Sequence, residues 1–269
     1  DLIKSVENRD KLGAKGTDLY FEINGNLTSI AEIQLKQAIS LTKQTPYAKV
    51  KYTNLVNEET QLAVEAIWDK EAEGKSYREL FSQSEKLEIG ETCFQMRMPT
   101  IDESGELTKE RLAPAGHGFV GFLEVLDVFN NDSKNEVVAI GNGEDLSSTP
   151  DVKIINWVVE NNIPIVMITT TKTEADKKGG QISIVKNEGA PDYVTIVEKA
   201  QAETANQLAY FEELGLRASD RDSLFNTNVV VINKKALKDK FKEYLKGVSL
   251  EQFIQCIAPD VIKNVKEQD

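Results

Sequence analysis

Cysteine and histidine are almost missing from this chain: two of the first and one of the second in 269 residues. Cys93 and Cys256 stand far apart and outside any ligand spacing, so neither a zinc centre nor a disulfide framework is expected to organise the fold. Reduced thiols are the default, and with them a cytoplasmic protein. No apolar run approaches the length of a membrane span, and no signal peptide opens the chain, so no membrane partner is expected. Positive charge is in deficit as well. The formal charge of −12 weighs against nucleic acid or an anionic membrane as a partner. A small phosphate ligand is still compatible, because a local Lys pocket can sit on an acidic protein. The chain starts with Asp1 rather than Met, and Lys263 to Asp269 is polar without a closing element, so the protein is expected to extend past at least one end.

What is present is an ordinary hydrophobic fraction of 40% with dispersed turn residues, enough for one large α/β domain or two small ones. Leu19 to Ile23 reads as a strand and Asn24-Gly25-Asn26 as a turn. Thr28 precedes a helical pattern in which Ile30, Ile33, Gln34, Gln37, Ala38 and Leu41 recur at three-to-four spacing. Val50 to Leu55 reads as a strand, followed by a helix from Glu58 to about Lys70. Thr100 to Lys109 is polar and turn-rich and reads as a surface loop. Further strands are expected at Val137–Ile140, Ile165–Thr170, Gln181–Val185, Tyr193–Val197 and Val229–Ile232, with a helix near Ile154–Glu160. From Lys235 the pattern turns helical, with Leu250, Phe253, Ile254 and Ile257 on one face. Alternating β and α predicts a Rossmann-like α/β fold with a mostly parallel central sheet and helices on both faces.

The segment from Ala139 to Gly180 concentrates the chemistry. A strand ends in Asn142, Glu144 and Asp145, at the carboxyl end where α/β sheets bind ligands. A second strand ends in a turn at Lys178-Gly179-Gly180, where glycines let an anion approach the backbone. These features point to a metal-dependent site for a phosphorylated ligand.

Several motifs in order resemble the UTP–glucose-1-phosphate uridylyltransferase (UDP-sugar pyrophosphorylase) family from about Leu12 to Leu245. Leu12-Gly13-Ala14-Lys15-Gly16 is similar to the family's M-G-C-K-G-P-K stretch. Phe94-Gln95-Met96-Arg97-Met98-Pro99 resembles N-Q-S-R-Y-P, and Pro114-Ala115-Gly116-His117-Gly118 resembles P-P-G-H-G. Asn142-Gly143-Glu144-Asp145-Leu146 falls on N-S-D-N-L, with Asp151 and Asn156 continuing the match. The stretch from Lys172 to Gly180 is similar to K-T-x-A-D-x-K-G-G, and Glu198-Lys199-Ala200-Gln201 to E-I-A-Q. Phe225-Asn226-Thr227-Asn228 reproduces F-N-T-N.

The resemblance implies a nucleotidyltransferase that makes UDP-glucose and pyrophosphate from UTP and glucose 1-phosphate, with Mg2+ as cofactor. It implies Gln95 at the uracil edge and Lys178 as the catalytic phosphate contact. It places Gly116, His117, Asn142, Asp145, Gly179, Gly180, Glu198, Asn226 and Asn228 against substrate, and Glu144 on the metal, where the family carries Asp. It assigns residues 1–245 to the catalytic domain and 246–269 to a helical tail. Two departures stand out. Where the family has a Gly-rich N-G-G-x-G-T loop, this chain has Val6-Glu7-Asn8-Arg9-Asp10-Lys11. The family's second Lys in G-P-K falls on Asp18. Other readings are a pyrophosphorylase for another sugar 1-phosphate, such as galactose or N-acetylglucosamine, and a non-catalytic nucleotide-sugar binding protein.

Overall fold

A computed structural model of the chain describes residues 15–44, 49–58, 60–72, 74–90, 92–95, 97–101, 106–114, 136–146, 149–171, 180–185, 188–189, 191–213, 224–244 and 246. The chain divides into two compact units, Asp1–Leu123 with Gly141–Asn161, and Glu124–Ile140 with Asn162–Asp269.

The first unit opens with a short helix α1 (Lys15–Asp18) and an antiparallel hairpin of β1 (Tyr20–Ile23) and β2 (Asn26–Ser29). Asn24 and Gly25 close the hairpin with φ of 52° and 79°. Both positions lie in the left-handed region, which a two-residue turn joining right-twisted strands requires and which Asn-Gly supplies at least cost. Ser29 then caps helix α2 (Ile30–Gln44), its hydroxyl accepting from the Glu32 backbone N–H at 3.2 Å. The helix buries Leu35 and Ala38 against Ile67 and Trp68 of α3 (Gln61–Trp68) and Tyr77 and Phe81 of α4 (Tyr77–Ser82). The Trp68 ring meets Tyr52 and Phe81 edge-on, with centroids 5.8 and 5.0 Å apart, an arrangement that adds to area burial. Ser76 and Glu79 form a capping box that starts α4.

A short antiparallel pair, β5 (Glu71–Ala72) and β6 (Lys75–Ser76), lies between α3 and α4 in sequence, and beside the helical core run two parallel strand pairs. β3 (Val50–Tyr52) pairs with β7 (Leu87–Ile89), and β4 (Leu55–Val56) with β8 (Cys93–Phe94). Parallel pairing needs a crossover, and the stretch holding α3 and α4 provides it.

The helix expected from Glu58 starts at Gln61, because Asn57 and Thr60 lock a turn first. Thr60 N–H donates to Asn57 Oδ1 at 3.0 Å, and Asn57 N–H donates to Thr60 Oγ1 at 2.9 Å. The expected loop from Thr100 to Lys109 is corrected as well. β9 (Arg97–Ile101) and β10 (Leu107–Pro114) form an antiparallel hairpin there, while 102–105 lie outside the described residues. Backbone pairing overrides a polar composition that has no strand periodicity of its own.

The second unit is built on a five-stranded sheet around β15 (Leu224–Asn233). β11 (Val137–Ile140) and β12 (Ile165–Thr171) flank β15 on opposite edges, since Val231 is opposite both Ala139 and Val166. β13 (Gly180–Val185) joins β15 at Gln181 opposite Phe225 and carries β14 (Tyr193–Glu198) on its other side. Every one of these pairs is antiparallel. The expectation of an α/β fold holds, but the pairing is mixed rather than mostly parallel. β11 and β12 do run the same way, each being antiparallel to β15, and α5 (Val152–Glu160), which belongs to the first unit, lies between them in sequence. The last strand then inserts between them in the opposite sense, and no local periodicity announces such a non-local partner. β15 is buried without alternation from Val231 to Asn233, as a central strand covered on both faces should be. Asn233 Oδ1 accepts from Ala236 N–H and so starts the last described helix, α6 (Lys234–Tyr244). Of the tail expected over 246–269, all but Lys246 lies outside the described residues.

Candidate functional site

In the first unit the segment Asn142–Leu146 is held by two glutamines of α2. Gln34, 6% exposed, donates from Nε2 to the Asn142 carbonyl at 3.0 Å and to the Asp145 carbonyl at 2.7 Å. One turn later Gln37 Nε2 donates to the Leu146 carbonyl at 2.6 Å. The Asp145 N–H donates back to the Asn142 carbonyl at 3.1 Å, closing the turn. A Cβ on Gly16 would collide with the Gly143 carbonyl oxygen, so only glycine lets α1 lie against this turn. The backbone is fixed while the side chains stay accessible: Glu144 is exposed, and Asn142 and Asp145 are half-buried. Asp18, the charge reversal noted above, ends α1 in the same unit.

Gln95 follows β8, and its N–H donates to the Val56 carbonyl at 2.7 Å, extending the parallel pairing by one residue. Its side chain is half-buried. The position is the carboxyl end of a parallel strand pair, where ligands approach such sheets.

In the second unit Gly180 begins β13 directly opposite Glu198, which ends β14. Gly180 is buried, and the space of its missing side chain is filled. A Cβ there would meet Ile196 Cγ2 and come within 2.7 Å of Glu198 Oε1. Burial pushes the Glu198 carboxyl above its ordinary value. Gln181 is opposite Phe225, so Glu198, Gly180 and the F-N-T-N segment share one end of the sheet.

F-N-T-N itself forms a bulge. Ile168 is opposite Val229 but Thr169 is opposite Asn226, leaving Thr227 and Asn228 as extra residues. Asn228 takes φ of 60°, a conformation Asn tolerates better than most residues. Asn226, 7% exposed, braces the bulge from inside. Its Nδ2 donates to Asn228 Oδ1 at 2.7 Å, and its Oδ1 accepts from the Asn228 N–H at 3.1 Å. Thr227 Oγ1 donates across to the Ile168 carbonyl at 2.7 Å. The Asn228 side chain is exposed. The two asparagines thus differ: one is engaged inside the fold, and the other is presented at its surface.

Gly116, His117, Lys178 and Gly179 lie outside the described residues. Of the other expected positions, Asn142, Glu144 and Asp145 share one turn, Gln95 ends a strand pair in the same unit, and Gly180, Glu198, Asn226 and Asn228 share one sheet end. The two glutamine anchors were not singled out as functional from sequence. The available signal was two amides on an otherwise apolar helical stripe.

Over residues 10–263 the chain matches the family model described as UTP–glucose-1-phosphate uridylyltransferase. It is 28% identical to the UTP–glucose-1-phosphate uridylyltransferase of Musa acuminata over 235 residues, 84% of this chain and 46% of that protein. With the Saccharomyces cerevisiae enzyme it shares 33% identity over 130 residues, 46% of this chain and 23% of that protein. Among solved structures, it is similar to UDP-glucose phosphorylase from Trypanosoma brucei, with a TM-score of 0.57 and 21% identity over 87% of this chain and 49% of that one. A point mutant of Leishmania major UDP-glucose pyrophosphorylase in complex with UDP-glucose gives a TM-score of 0.58 at 18% identity, over 87% of this chain and 48% of that one. The structural likeness shows a shared α/β fold, and the chain spans about half the length of the Musa acuminata enzyme. The match covers nearly the whole sequence, and the chain belongs to the UTP–glucose-1-phosphate uridylyltransferase family.

Proposed function

We propose that this chain carries the substrate-binding and catalytic region of a cytoplasmic uridylyltransferase that makes UDP-glucose and pyrophosphate from UTP and glucose 1-phosphate. The observation that carries the reading is the contact of Gly16 with Gly143. It brings Gly16, which ends the L-G-x-K-G segment, against Gly143 of the N-x-x-D-L turn, a residue far from it in sequence but in the same unit. In the reaction a phosphate oxygen of glucose 1-phosphate attacks the α-phosphorus of UTP. The bond from that phosphorus to the bridging oxygen breaks, and pyrophosphate leaves with the electron pair. Such a displacement depends on aligning the attacking and leaving oxygens and on positive charge around the equatorial ones.

Gln95 offers a donor and an acceptor to the uracil edge. Glu198, Asn226 and Asn228 serve the sugar, with the exposed Asn228 amide at its surface. Asn142 and Asp145 bind substrate from the anchored turn. Gly116, His117 and Gly179 allow close ligand approach, and Lys178 holds a phosphate and stabilises its developing charge. Among the described residues no three His, Cys, Asp or Glu side chains gather where one metal could bind. Mg2+ needs fewer, because it is commonly held by one or two carboxylates together with substrate phosphates and water. The exposed Glu144 beside Asp145 fits that demand, with Glu144 as the ligand. When bound, Mg2+ supplies positive charge to the phosphate oxygens. Among the described residues no helix is long and apolar enough to cross a membrane.

Pyrophosphate release from UTP in Mg2+, with the 1-phosphates of glucose, galactose and N-acetylglucosamine, tests the reading. Release is expected to be fastest with glucose 1-phosphate. Calorimetric binding of UDP-glucose without pyrophosphate release from any of the three would make the chain a nucleotide-sugar binding protein instead.

A further inference from the structure

We propose that Gln34 is a positioning residue that holds the Asn142–Leu146 turn in its ligand-receiving conformation; this rests on the uridylyltransferase reading. A primary amide has two N–H groups on one nitrogen, and Gln34 directs that nitrogen to two carbonyls three residues apart, those of Asn142 and Asp145. At 6% exposure the residue has little water to replace either bond. Gln37 repeats the device on Leu146, and its own Oε1 is left buried without a hydrogen-bond partner among the described residues. Two amides of one helix face are therefore committed to one turn. The helix beneath is itself anchored, with Glu32, two residues before Gln34, bonded to Lys70, Lys36 and Tyr77. Side chains on the turn thus project from a backbone fixed relative to the core of the first unit. With Gln34 gone, Glu144 and Asp145 stay in the sequence but lose their place, and proper placing of ligand groups is what binding at such a site depends on.

Gln34→Met tests this, since Met keeps the length and helix propensity and removes both donors. In the full chain, hydrogen exchange over 141–146 should quicken about tenfold, the scale of one buried hydrogen bond, while 61–82 stays unchanged. The KM for glucose 1-phosphate and the Mg2+ concentration for half-activation should rise by about the same factor, more than kcat falls. UDP-glucose titrated by calorimetry should bind correspondingly weaker. Gln34→Lys, which returns a donor of similar reach, should recover part of each effect. Gln44→Met, at an exposed amide on the same helix, should change none. Unchanged exchange in the turn overturns the proposal, and so does faster exchange with unchanged KM, Mg2+ requirement and UDP-glucose binding. A wild-type chain that neither turns over UTP nor binds UDP-glucose overturns the uridylyltransferase reading, and the positioning role of Gln34 with it. An active wild type matched by its Gln34→Met variant overturns the Gln34 role alone.

Discussion

Each unit holds a glutamate wholly or partly out of water, and the two are pushed in opposite directions. Glu32, in the first, has a side chain only 5% exposed. Burial works against its charge, but Lys70, Lys36 and Tyr77 all donate to it and together hold its carboxyl below the ordinary value. Glu198, in the second, is half-buried, and burial alone drives its shift upward. Among the described residues no hydrogen-bond donor reaches its carboxylate. One carboxylate is consumed by the fold. The other is under-solvated and keeps its acceptor capacity, the condition in which a ligand's hydroxyls would complete it. The same contrast holds for the candidate site residues within each unit. In the first unit, side-chain amides on a helix clamp a turn. In the second, strand register and a bulge place the groups.

The largest effect should come from the aromatic core behind the first arrangement. Phe81 is 1% exposed and packs edge-on against Trp68. Phe81→Ala should cost about 3–5 kcal/mol, read by urea denaturation. If α2 loosens with that core, exchange in the Asn142–Leu146 turn rises too, while β15 stays protected. Equal loss of protection in both units would mean that they unfold as one, and the comparison would lose its meaning.

Glu32→Gln should come next. It keeps the volume and a Tyr77 contact but strips the counter-charge from Lys70 and Lys36, costing about 2–3 kcal/mol at neutral pH. The sign with pH follows from the lowered pKa. Stability from the ionised Glu32 is fully present above the ordinary glutamate value of 4.5 and is lost as pH falls through the lower folded value. The wild type should therefore converge on the variant in acid. A difference that persists below that range would mean that packing, not charge, is what the substitution disturbs.

What was legible in the sequence was local. The Asn24-Gly25 turn, the strands expected at Val137–Ile140 and Ile165–Thr170, and the helix expected after Thr28 follow from backbone preference and periodicity within a few residues. What was not legible joins distant residues. Gln34 bonds carbonyls 108 and 111 residues away, and nothing near it in sequence marks it except polarity on an apolar stripe. The Glu32 cluster draws on Lys70 and Tyr77, each more than 35 residues on, and was not foreseen. The insertion of β15 between β11 and β12 changed a parallel expectation into antiparallel pairs for the same reason. Gly180 shows a subtler limit. Beside Lys178 it reads as a place for an anion, yet its lack of a Cβ already accommodates Ile196 and Glu198.

The bulge tests whether placement in the second unit is built into the backbone. Asn226→Ala removes the acceptor of the Asn228 N–H and the donor to its side chain, and should cost about 1–2 kcal/mol in denaturant. UDP-glucose affinity should fall with it, because Asn228 is no longer aimed. Loss of affinity at unchanged stability would mean that Asn226 serves the sugar by direct contact alone and not through the bulge.

The smallest effect should separate the two glutamates most sharply. A carboxyl whose folded pKa lies above 4.5 is favoured in its protonated form by the fold. Its penalty is absent below 4.5, grows as pH rises through the folded value, and is complete above it. Glu198→Gln removes that penalty and keeps the shape beside Gly180. The variant should therefore melt slightly higher than the wild type at pH 7, by roughly 1–2 °C because the group is only half-buried, and the two should coincide near pH 4. UDP-glucose binding should move the other way, weakening in the variant as a charged acceptor becomes a neutral amide. Gain of stability with loss of affinity is the signature of a carboxylate kept for a ligand at a cost to the fold. If Glu198→Gln instead lowers the melting temperature at pH 7, the carboxylate is held by donors in the fold, as Glu32 is, and the contrast between the two units fails.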